Sequence, residues 1–252
     1  MIIGVQNLST LVSNEDCYDM TLLVNRQLRD HVAPAWNLLP PAVVFLAKGV
    51  SAAKSAQGQR YDAIIGILDN ADQAGDLGWH TEGPDADCYG RVFAQPVLAN
   101  GGNALTDVLS VCSVLSHEAI EMLGDAACDR WAQQNDSTLV AMELADPVES
   151  DSYAITISPV AGLTVSGTVS DFVLPDWFDP DAAPGKTDYL GLVTAPFEVR
   201  STGYVIAQTG GTVSEQWGEQ YPAWRKATKQ QETSRTSRRN ATDPTYPQTS
   251  MA

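Results

Sequence analysis

Between residues 104 and 123, Leu105, Val108, Leu109, Cys112, Leu115 and Met122 recur at the spacing of a helix, and Gly124 follows as a stop. The end of this helix reads SHEAIEMLGD, residues 116–125. His117 and Glu121 stand at i and i+4, so they share one helical face a turn apart, and Glu118 projects beside them. This is how a helix offers two ligands to one metal while an adjacent carboxylate polarises a water. The chain must therefore build a fold around a long helix that carries chemistry at its end.

The elements before that helix read as mixed α and β. Residues 20–36 carry Leu22, Leu23, Gln27, Leu28 and Val32 at helical spacing, with Asp19 as the expected N-cap and Pro34 closing the pattern. Residues 42–47 and 61–68 are apolar runs of strand length. A polar, glycine-bearing stretch covers 69–90. Residues 91–98 then alternate as a strand, and Pro96 places that strand at a sheet edge. A turn at 100–103 leads into the motif helix.

After Arg130 the pattern changes to short β segments at 139–144, 154–157, 172–174 and 202–208. Pro- and Asp-rich loops separate them, and Trp177 and Phe178 in one such loop pin it to the core. The expected class is α+β: a mixed sheet with a long motif-bearing helix, a β-rich C-terminal half and an extended C-terminal arm.

Charge sets the outer limits. The 252 residues hold 31 Asp+Glu against 15 Lys+Arg, a net charge of -16, which excludes nucleic-acid binding by bulk electrostatics. Hydrophobic residues make up 44% and charged ones 18%, a globular composition that supplies a sizeable core. The division is uneven: residues 1–212 hold nine basic and 27 acidic side chains, residues 213–252 six and four. The tail is poor in apolar residues and spaces Trp217, Tyr221, Trp224 and Tyr246 along its length. It reads as a basic arm that docks on an acidic surface, either a second copy of the chain or another subunit of a larger assembly. The expected division is a globular domain over 1–212 and an arm over 213–252. No signal peptide and no stretch of membrane-spanning length is visible, so the expected setting is cytoplasm or virion, without a membrane partner. Cys17, Cys88, Cys112 and Cys128 form no C-x-x-C pair and read as buried free thiols.

Downstream of the helix, MELADPVESD supplies Glu143, Asp146, Glu149 and Asp151. Glu143 follows His117 by 26 residues, far enough for a returning element to deliver a third ligand. Together these segments resemble the zincin metalloproteases, whose motif is H-E-x-x-H with a downstream ligand. The resemblance implies a mixed sheet whose edge strand lines the substrate cleft, Glu118 as the base, His117, Glu121 and Glu143 as metal ligands, and Asp146 as partner to the downstream ligand. More narrowly, YGRVFAQPVLANGG, LSHEAIEML and GEQYPAWRKATKQ look like a family of uncharacterised bacterial and phage-associated proteins.

Position 121 departs from the zincin pattern, having Glu where a second His belongs. An anion in place of a neutral imidazole removes the net positive charge that acidifies a metal-bound water. Zinc is the first expected metal, with calcium or manganese suited to so carboxylate-rich a site. Two functions follow. One is a multi-copy structural protein, such as a virion capsid or tail accessory component, whose metal site is degenerate or structural. The other is an active metal-dependent hydrolase, a peptidase using Glu118. His80, in the loop before the expected edge strand and beside a Trp, reads as a structural histidine, with a further ligand from that loop as the alternative, and His31 as a capping or surface residue.

Overall fold

The computed structural model describes residues 1–49, 61–72, 76–82 and 88–229. A five-stranded mixed sheet comes first, built from β1 (Ile2–Asn7), β2 (Ala42–Leu46), β3 (Ala63–Leu68), β4 (Gly78–Glu82) and β5 (Cys88–Phe93) in the order β2-β1-β3-β5-β4. Neighbouring strands run parallel except β4, which is antiparallel to β5 and forms an edge. Its inner strands are near-continuous apolar runs such as AIIGIL, as expected of strands buried on both faces.

Two helices pack on this sheet: α1 (Asn14–Gln27) against β2 and β1, and α4 (Val111–Gly124) against β4 and β5. A π-helical turn (Leu28–Val32) and the short α2 (Ala33–Ala35) prolong α1, and α3 (Ala94–Ala99) follows β5 directly. On its other side α4 meets the hairpin of β8 (Ser152–Val160) and β9 (Leu163–Ser170). This enclosure buries every residue of α4 from Val111 to Met122. Ile3, Val5, Ile65, Met20, Leu23, Leu115 and Ile120 form the middle of the main core.

A second, antiparallel sheet is built from β6 (Trp131–Asn135), β7 (Thr138–Ala141), β10 (Tyr204–Thr209) and β11 (Thr212–Trp217). Trp177 is fully buried beneath it with Val140, Val173 and Val205. The short α5 (Ala223–Lys229) closes the described chain. The class is thus α+β, with mostly antiparallel strands after Arg130. No described helix is long and apolar enough to cross a membrane.

Several elements differ from the sequence reading. Helix α1 starts earlier, because Ser13 rather than Asp19 is the N-cap and accepts from the Asp16 amide at 2.9 Å. The motif helix starts later than residue 104. Asn103 accepts the Thr106 amide at 2.7 Å and donates to Asp107 at 2.6 Å, a local turn that competes with the helix until Ser110. The expected edge strand over 91–98 is the end of an inner strand followed by α3, which contains Pro96. The real edge, β4, lies in the stretch read as polar. Residues 172–174 contribute only an isolated bridge, Val173 to Asp188. Strand β1, next to the centre of the sheet, was not read at all.

The expected boundary at 212 falls inside the β10–β11 hairpin. Trp217 stacks on Tyr204 with ring centroids 5.1 Å apart, and Tyr221 packs on Trp217 at 4.6 Å, so two of the spaced aromatics anchor to their own body. Tyr246 and most of the basic stretch, including Arg235, Arg238 and Arg239, lie outside the described residues.

The start of α4 is held by a reciprocal cap. Ser110 Oγ accepts the Ser113 amide at 3.0 Å and Ser113 Oγ accepts the Ser110 amide at 3.0 Å. Ser110→Ala should cost about 1 kcal/mol, since the buried Ser113 amide loses its acceptor. Thermal unfolding would report it as a melting temperature lower by about 2–4 °C; an unchanged value would show that the cap contributes nothing.

Candidate metal centre

Glu121 is at the centre of a buried polar cluster. It is 0% exposed, and it divides its oxygens between two imidazoles: Oε1 lies 3.1 Å from His117 Nε2, and Oε2 lies 3.6 Å from His80 Nδ1. His117 Nε2 also stands 3.2 Å from Asp146 Oδ1. His117, Glu121 and Asp146 thus bring three ligand atoms within 4.8 Å of one another, all from buried residues. The i, i+4 spacing sets the first pair, and the 3-10 turn Asp146–Val148, after β7, delivers the third.

His80 comes from the edge strand β4 and is 1% exposed. Its Nδ1 faces Glu118 Oε2 at 3.3 Å; its Nε2 faces the Asp125 carbonyl at 3.2 Å and Glu143 Oε2 at 3.9 Å. Cys128 donates its thiol to the His80 carbonyl at 3.4 Å. Two more groups of three follow, His80–Glu118–Glu121 and His80–Cys128–Glu143. Burial by itself would hold both imidazoles neutral, but the surrounding acidic groups outweigh it. His117 is raised to about 10 by Glu121 and Asp146, and His80 goes well above its ordinary value beside Cys128, Glu118 and Glu143. The cluster is a place that favours positive charge.

A cleft of about 190 Å³ opens onto this cluster. Its lining includes Leu77 and Gly78 at the start of the edge strand, His117 and Glu118 of α4, and Trp224 and Arg225. Gly78 has a reason to lack a side chain: a Cβ there would lie 2.8 Å from Glu118 Oε1 and 2.9 Å from Val114. Glu118 therefore presents one oxygen toward the edge strand and the other to His80.

The expected residues are distributed rather than gathered at one point. His117, Glu121 and Asp146 come together, Glu118 adjoins them through Glu121, and Glu143 groups with His80 and Cys128. Glu149 and Asp151 are taken up by ion pairs, to Arg225 at 2.5 Å and to Arg200 at 2.7 Å. His31, expected at the surface or a cap, stacks on Tyr189 at 4.9 Å and meets the Tyr153 hydroxyl at 2.8 Å. The role of Cys128 was missed, and that of His80 undervalued. Trp79 and Thr81 around His80 were the available sign of a strand.

Compared with protein-family models, with curated proteins and with solved structures, the chain matches none of them. What is established for the centre is a buried His/Glu cluster suited to a metal ion.

Proposed function

We propose that the protein is a metal-dependent hydrolase acting on extended peptide segments, with His117, Glu121 and Asp146 holding the metal and Glu118 as the base. The observation that carries this reading is that His117 and Glu118 line the same cleft while Glu121 and Asp146 stand behind them, out of solvent. One imidazole and two carboxylates fit a zinc ion, and they leave room for a water or substrate. When bound, the metal would polarise the scissile carbonyl and lower the pKa of a water.

The chain's own groups do the rest. Glu118 accepts a proton from the attacking water and passes it to the leaving amine. His80 donates to Glu118 Oε2 and fixes its orientation, while Gly78 leaves space for Oε1. The edge strand beside the cleft offers backbone groups with which an extended peptide can pair. The zincin resemblance implies an edge strand lining the cleft, and β4 beside α4 supports the reading. With two anionic ligands the site has no net positive charge, so it suits a slow hydrolase in which Glu118 carries most of the proton transfer.

The multi-copy assembly expected from Glu121 in place of a second His and from the basic tail is the other reading; residues 230–252 of that tail lie outside the described residues. Metal analysis of the native protein combined with a peptide-library digest tests the proposal. The expected result is stoichiometric divalent metal and cleavage that a chelator abolishes and added zinc restores. Metal-loaded protein that cleaves no peptide would overturn it.

A further inference from the structure

We propose a second metal site, a structural zinc held by His80 Nε2, Cys128 Sγ and Glu143. It lies outside the His117 triad and shares no ligand with it. The three side chains are 1%, 7% and 3% exposed, and their ligand atoms lie within 4.8 Å of one another. Ligand atoms around a tetrahedral zinc stand roughly 3.3–3.7 Å apart. The 3.9 Å between His80 Nε2 and Glu143 Oε2 is already close to that. A set of one thiolate, one imidazole and one carboxylate favours zinc over calcium or magnesium, because hard oxygen-seeking ions do not take sulfur.

The backbone places these donors by separate means. His80 sits in the edge strand, and Glu143 follows β7 directly. Cys128 lies in the turn after α4, where its φ of 53° is left-handed and costly for a residue with a side chain. Asp125 builds that turn: its Oδ1 accepts the Asp129 and Arg130 amides at 3.2 Å, and its carbonyl accepts the Cys128 amide at 3.1 Å. The strained residue is thereby held with its sulfur at the histidine.

The other face of the His80 ring completes the argument. With Nε2 on the metal, Nδ1 carries the proton and donates to Glu118 Oε2 at 3.3 Å, the carboxylate–histidine–metal arrangement that fixes tautomer and ring orientation. Zinc at this site displaces the thiol proton of Cys128 and any proton on Nε2 to solvent. It would pin the edge strand, the end of α4 and the second sheet to one point, and would orient Glu118 through His80.

The test is metal content and the cobalt(II) spectrum of the full chain. Wild type should bind two ions per chain and show a thiolate-to-cobalt charge-transfer band in the near ultraviolet. Cys128→Ser should bind one ion and lose the band, whereas His117→Ala should bind one ion and keep it. Cys88→Ser should change neither value. A cobalt-loaded wild type without the band, or a band that survives in Cys128→Ser, would overturn the second site. The wild-type spectrum decides the matter even if a variant fails to fold. Failure of the hydrolase reading is distinct, since it leaves the band in place and shows no cleavage.

Discussion

Glu118→Gln is expected to retain the metal of the His117 triad and to lose peptide cleavage by about 10²–10⁴-fold, the usual contribution of a positioned general base. The substitution is nearly isosteric. Glu118 is 2% exposed, and its Oε2 accepts from His80 Nδ1, a contact that the carbonyl oxygen of glutamine can keep. What the amide cannot do is take a proton from water. The loss should fall on kcat with little change in KM, because the side chain acts on the reacting proton and not on the substrate's length. Glu15→Gln, exposed on the first turn of α1 and not among the residues that line the cleft, is the control and should leave cleavage unchanged. Metal content measured on the same samples separates the outcomes. A variant that keeps both metal and activity would remove Glu118 from the chemistry. One that loses metal together with activity would show that Glu118 is a ligand instead of a base.

The pair His117 and Glu121 was legible because helical spacing is a local property: four residues along α4 return to the same face whatever the rest of the chain does. Asp146 was legible as a candidate because it lies in a short acidic segment soon after the helix. The pairing of Glu143 with His80 and Cys128 was not, since it depends on which strand forms the sheet edge. Strand order is set by packing across the whole sheet. Pro96 suggested an edge for the strand expected from Arg91 onward, yet Arg91 is 7% exposed, paired to Asp72 at 2.5 Å and stacked over Trp79 at 5.2 Å. A buried arginine with its own ion pair looks like a solvated residue when only the sequence is read. The same holds for His80, a buried histidine in a polar stretch, whose partners lie 38 and more residues away.

A second pair of acids predicts an unusual dependence of stability on pH. Asp171 follows β9 and Asp188 lies in the loop beneath it; both are 0% exposed. Asp171 Oδ1 accepts the amides of Phe172 at 2.8 Å and Leu190 at 3.2 Å. Asp188 accepts those of Leu192 and Val193, each at 3.0 Å. Burial, then the hydrogen bond and charge of Asp188, push the Asp171 carboxyl from 3.8 up to about 8. Between those values the folded chain keeps a proton that the unfolded chain has released. Stability from this group is therefore fully present below pH 3.8, declines as pH rises, and is gone above about pH 8. The whole span is worth on the order of 5 kcal/mol. Asp171→Asn supplies a permanent donor toward Asp188 and keeps an acceptor for the two amides, so it should remove the dependence. The unfolding free energy of the variant minus that of wild type, from urea titrations at about pH 5, 7 and 9, should become more favourable to the variant at each step. Taking the difference cancels the groups that the substitution leaves untouched, among them Arg200, which feels the charge of Asp188. A difference that stays constant across the three values would mean that Asp171 is ionised in the folded chain, and that the backbone amides around it suffice to hold a buried charge.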